Sequence, residues 1–64
     1  MKSLEDTVLE VVSMTPSKLD RDSETISRIC GLDRDLTCEG LRGLRYRGLV
    51  VREYVGERVV WSVK

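Results

Sequence analysis

The side chains best equipped for chemistry in this chain are guanidinium groups in its second half. Arg34, Arg42 and Arg45 recur at helical spacing, and Arg58 follows in a later segment. Arginine is a permanent, planar, many-donor cation whose natural counterparts are phosphate and carboxylate. Thr37 and Cys38 lie in the same stretch and join the four arginines as candidate contact residues. Other chemistries lack their parts. The chain has no histidine, so the commonest general base and metal ligand is missing. No nucleophile stands beside a base, and no glycine-rich loop is spaced to cradle a nucleotide. Two cysteines, Cys30 and Cys38, fall short of both a zinc ligand set and a disulfide scaffold. The expectation is a protein that is not an enzyme and uses no metal or cofactor.

The bulk numbers limit the rest. Sixty-four residues make a single domain, here taken as 1–64, of a size that buries only about 60% of its unfolded surface. At 41% hydrophobic and 34% charged, the composition is that of an ordinary globular protein. Eleven basic residues balance eleven acidic ones, whereas a dedicated nucleic-acid binder usually carries a basic excess. No apolar stretch approaches a membrane span, and no signal-like run opens the chain, so a cytoplasmic location is expected.

The elements that must position the arginines can be read in order. Ser3 caps a first helix over 3–14, with Leu4, Val8, Val11 and Val12 at helical spacing and Leu9 widening the face. Pro16 ends it. The polar link that follows carries Leu19 as a short strand or a plug for the core. Asp22 or Ser23 opens a second helix over 23–31, with Ile26, Ile29 and Cys30 inward, and Gly31 stops it. Asp33 caps a third helix over 34–47, and Gly48 closes that one. A hairpin over 49–63 turns around Gly56, with Val59, Trp61 and Val63 on its inner face. The expected core is Val8, Val12, Ile26, Ile29, Leu32, Leu41, Leu44, Val50, Trp61 and Val63.

Over nearly the whole chain, and most strongly from about Ser23 to Val63, this order and spacing resemble a winged helix-turn-helix domain of the kind found in small prokaryotic and archaeal transcription regulators. The block "GLDRDLTCEGLRGLRYRGLVVREYVGERVVWSV" carries the resemblance. "GLD" makes the turn between helices, "LRGL" supplies inward leucines, "RGLVVRE" enters the wing, and "ERVVWSV" returns from it. The resemblance implies an α+β fold, three helices followed by a two-stranded β-hairpin wing. It also implies that the third helix enters a DNA major groove.

On that reading Arg34, Thr37, Cys38, Arg42, Arg45 and Arg58 are the candidate DNA contacts, mainly to phosphates that position without reading sequence. Thr37 also falls with Leu41 and Leu44 on the inward face. The outward face departs from the pattern of a base reader, because beside Arg42 it carries Asp35, Leu36, Glu39, Gly43 and Tyr46 where Arg, Lys, Asn, Gln, Ser and Thr are favoured. Leu36, Gly43 and Tyr46, with Val51, Tyr54 and Val60 on the outer side of the wing, are therefore candidate interaction residues for a homodimer or a protein partner. Gly40 reads as relief of internal crowding, and Gly43 as a place where a partner approaches. A DNA-binding regulator or accessory factor is the leading expectation; the alternative is a winged helix that docks a protein and does not read DNA.

Overall fold

A computed structural model describes residues 3–64. Helix α1 (Leu4–Met14) leads through a single 3-10 turn at Lys18–Asp20 to α2 (Ser23–Cys30) and α3 (Arg34–Tyr46). Strands β1 (Val50–Val55) and β2 (Arg58–Val63) then pair antiparallel as the wing. The fold is a winged helix-turn-helix.

The helix ends follow the signals in the sequence. Ser3 Oγ accepts from Asp6 N at 3.1 Å, and Asp33 Oδ1 accepts from Leu36 N at 2.8 Å. Each satisfies a donor that the first turn would otherwise leave bare. Gly31 and Gly48 terminate α2 and α3 in the left-handed region, at φ 71° and 77°, where other residues meet steric resistance. Asp22 stands at the start of α2 without a side-chain cap bond.

Val8, Val12, Ile26, Leu41, Leu44, Val50 and Trp61 form one buried cluster, with Leu32 and Cys30 half-buried against it. Two expected core residues neither belong to it nor pack against it. Ile29 is 57% exposed, because α2 turns only its Ile26 side to α3 and leaves Ile29 on the rim of a groove with Val11, Met14 and Pro16. Val63 is 47% exposed because it closes the open end of the sheet beyond Trp61. Leu19 neither forms a strand nor plugs the core; it stands half-exposed in the 3-10 turn.

Val60 corrects the reading of the wing. The register pairs Glu53 with Val60 and Arg52 with Trp61, so Val60 does lie on the face opposite Trp61. That face is not solvent. The link before α2 runs along β2, where Trp61 N donates to Arg21 O at 3.0 Å. From it Lys18 pairs with Glu53, and Arg21 reaches Ser62 Oγ at 3.5 Å. Val60 is fully buried beneath this cover, and Val51 is half-buried beside it. Tyr54 is not in that row either: it pairs with Val59 on the face of Trp61, at its exposed outer end, so no outward apolar row remains.

The two helix glycines also separate. A Cβ on Gly40 would stand 3.1 Å from Val8 Cγ2, so its absence lets α1 approach α3, as the crowding argument requires. A Cβ on Gly43 would overlap the Glu5 carboxylate, which bonds Arg47 Nη1 at 2.6 Å. Gly43 therefore faces α1 and not a partner. Gly43→Ala is expected to raise stability by up to about 1 kcal/mol, since helix propensity improves by about that much and the displaced ion pair is a surface one. Gly40→Ala is expected to lower stability, because Val8 is buried and overpacking costs about 1–3 kcal/mol. Urea midpoints moving in the same direction for both would contradict this division.

Candidate nucleic-acid interface

Helix α3 presents its exposed side in two bands. Successive steps of four, four and three residues from Arg34 through Cys38 and Arg42 to Arg45 keep these side chains on one strip, since neighbours on a helix surface lie three or four apart. Arg34, Arg42 and Arg45 are all exposed, and none forms an ion pair among the described residues. Cys38 is half-buried between them with a free thiol. The second band, along the crest, carries Asp35, Glu39 and Tyr46, with Leu36 at its margin and 41% exposed. Asp35 and Glu39 likewise lack cationic partners among the described residues.

The arginines are therefore not a neutralised surface lattice. Among the described residues, the basic groups that do pair are Lys18 with Glu53, Arg28 with Glu24 and Arg47 with Glu5. These pairs pin the wing to the link, staple α2 internally and join α1 to α3. Hydrogen bonding to Lys18 holds the Glu53 carboxyl below its ordinary pKa. Burial pushes the Cys30 thiol up, which suits a small core side chain and opposes thiolate reactivity.

Thr37 belongs elsewhere. It is fully buried, and its hydroxyl donates to Asp33 O at 2.9 Å, so it holds the first turn of α3 and meets no ligand. Arg58 is exposed at the start of β2, but its Nη1 donates to Leu19 O at 3.3 Å. That bond ties the wing back to the 3-10 turn and leaves the guanidinium's remaining donors outward.

Sequence reasoning missed the role of Arg21. Its side chain donates to Thr15 O at 3.2 Å and to Ser62 Oγ, while its own carbonyl accepts from Trp61 N. One residue thus links the end of α1 to the wing and fixes the angle between β2 and the helices. A link of polar residues carries no periodicity, so nothing in the sequence marks it. A shallow cleft lined by Arg42, Arg45 and Tyr46 was also not foreseen as a unit. Tyr46 in it is 93% exposed.

No helix among the described residues is long and apolar enough to cross a membrane, and no group of His, Cys, Asp and Glu among them is arranged to hold a metal ion. Neither a family model nor a curated protein matches the chain. Among solved structures, the crystal structure of the PcaV transcriptional regulator from Streptomyces coelicolor in complex with its natural ligand is similar to it, with a TM-score of 0.83 and 25% identity. The match covers 100% of this chain and 45% of that one, so this chain spans less than half the length of that regulator.

Proposed function

We propose that this chain is a DNA-binding winged-helix domain of a small transcription regulator or accessory factor, working in the cytoplasm. The observation that carries the reading is the strip of unpaired guanidiniums on α3, Arg34, Arg42 and Arg45, in a fold shared along its whole length with a transcriptional regulator. Arg34 stands at the amino-terminal end of α3, the end that enters the major groove in helices of this type. Arg42 and Arg45 are about two and three turns further on and meet the phosphates flanking the groove. Arg58 adds a contact from the wing. Cys38 lies within this footprint and is covered when DNA is bound. Such contacts hold the domain on a duplex without reading its sequence.

Arg42→Ala is expected to weaken binding to every mixed-sequence duplex by a similar factor. It should also reduce the slope of log affinity against log salt by about one, the share of one phosphate contact. Fluorescence anisotropy across a salt series measures both. A salt-independent affinity, or no binding at low salt, would remove the reading.

A second reading rests on the crest. Unpaired Asp35 and Glu39 beside exposed Leu36 form an acidic, partly apolar ridge that fits a basic protein surface. A second copy of the chain is another partner of this kind, with the unpaired edge of β1 and exposed Tyr54 open to it.

A further inference from the structure

Two tyrosines on this molecule are exposed far beyond what their size favours. Tyr46 is 93% exposed at the carboxyl end of α3, and Tyr54 is 68% exposed on the wing. A tyrosine carries a large apolar ring that is normally packed, with only its hydroxyl wet. Each of these rings is also flanked by arginine. Arg42 stands one turn before Tyr46, and together with Arg45 they line one shallow cleft. Arg52 lies over the Tyr54 ring, with its guanidinium carbon 5.7 Å from the centroid.

The wing register places the second pair. Val50, Arg52, Tyr54, Val59 and Trp61 share a face of the hairpin. The inner end of that face packs on the helices through Val50 and Trp61. Arg52 and Tyr54 occupy its outer end and project on the helix side of the sheet.

An aromatic face beside an unpaired guanidinium is the arrangement that holds a nucleobase by stacking and its phosphate by charge. Within a perfect duplex every base face is already stacked on its neighbours, so these rings have nothing to take. We propose that Tyr46, with Arg42 and Arg45, is a stacking site for an unpaired base in a nucleic-acid strand, and that Tyr54 with Arg52 extends the track along the wing. The domain then favours duplexes interrupted by an unpaired nucleotide over continuous ones. This rests on the DNA-binding reading above and adds a preference to it. Glu39, two turns before Tyr46 on the same crest, opposes phosphate there and favours a strand on the Arg42–Arg45 side.

The test compares a perfect duplex with the same duplex carrying one unpaired thymidine, by anisotropy at low salt. The interrupted duplex is expected to bind roughly tenfold more tightly, the scale of one base–aromatic stack. Tyr46→Ala should erase that preference and leave affinity for the perfect duplex within about twofold. Tyr46→Phe should retain the preference, because stacking needs the ring and not the hydroxyl. Since Tyr46 is almost wholly exposed, its removal takes nothing from the core, and a circular dichroism melt confirms the fold. Equal binding to both duplexes overturns the proposal while leaving the DNA reading standing. So does a preference that survives Tyr46→Ala, which would mean that the ring does not take the base. No binding to either duplex overturns both.

Discussion

Leu41→Ala is expected to leave this domain barely folded at 25 °C. Leu41 is fully buried on the inner face of α3, in the cluster formed with Val8, Val12, Ile26, Leu44, Val50 and Trp61. Truncating a buried leucine costs about 2–5 kcal/mol, the transfer of the lost carbons plus the cavity left behind. A chain of this size has only about 3–10 kcal/mol to lose. With a urea dependence of about 1 kcal/mol per molar, the midpoint should fall by at least about 2 M. Trp61, the single tryptophan, is part of the same cluster and reports the transition by fluorescence. Ile29→Ala is the control: at 57% exposure it should cost less than about 1 kcal/mol, in line with its partial burial. Comparable losses at Ile29 and Leu41 would mean that α2 is packed in a different rotation from the one described.

That pair shows how far the sequence could be read. Both residues stand at apolar helical spacing, and spacing alone put both in the core. The elements themselves were legible because their ends carry local chemical signals: Ser3 and Asp33 accept from first-turn N–H groups, and Gly31 and Gly48 take positive φ. What spacing cannot supply is which neighbour reaches a given face. Helix α2 has 8 residues, too few turns for its pattern to fix its rotation, and Ile29 came out on the groove side. The wing failed for the opposite reason. Alternation assigned Val60 to solvent, but a polar link with no strand signature runs along β2 and roofs that face. Gly43 depended on Glu5, a contact distant in sequence, and was read as outward because nothing local pointed to α1.

The candidate interface divides along the same line. The arginine strip was legible because it is a matter of helical spacing within one element. Its state of pairing was not, since Asp35 and Glu39 lie near enough in sequence to have neutralised it. In the structure they do not; both bands stay free, side by side on one helix. Thr37 was misplaced because its buried position and its place at the amino-terminal end of α3 argued in opposite directions, and burial prevailed.

The free carboxylates on the crest set the last expected result. Asp35→Asn with Glu39→Gln should tighten duplex binding about tenfold at low salt. Each carboxylate held roughly 6 Å from a phosphate in a water-like medium costs about 0.7 kcal/mol, so removing both recovers about 1.4 kcal/mol, one decade in affinity. The amides keep the shape of the crest and add donors that base edges accept. The gain should shrink at high salt, where exposed charges are screened within a few ångströms. In this it runs opposite to Arg42→Ala, which weakens binding most where screening is least. Both carboxylates are exposed and unpaired among the described residues, so their neutralisation leaves the fold intact. A duplex affinity that is unchanged, together with lost capture of a basic protein partner, would move the function from the phosphates beside α3 to the acidic ridge along its crest. The zero net charge of the chain would then reflect a helix selected to repel nucleic acid at its centre while its arginine strip serves the partner's acidic groups.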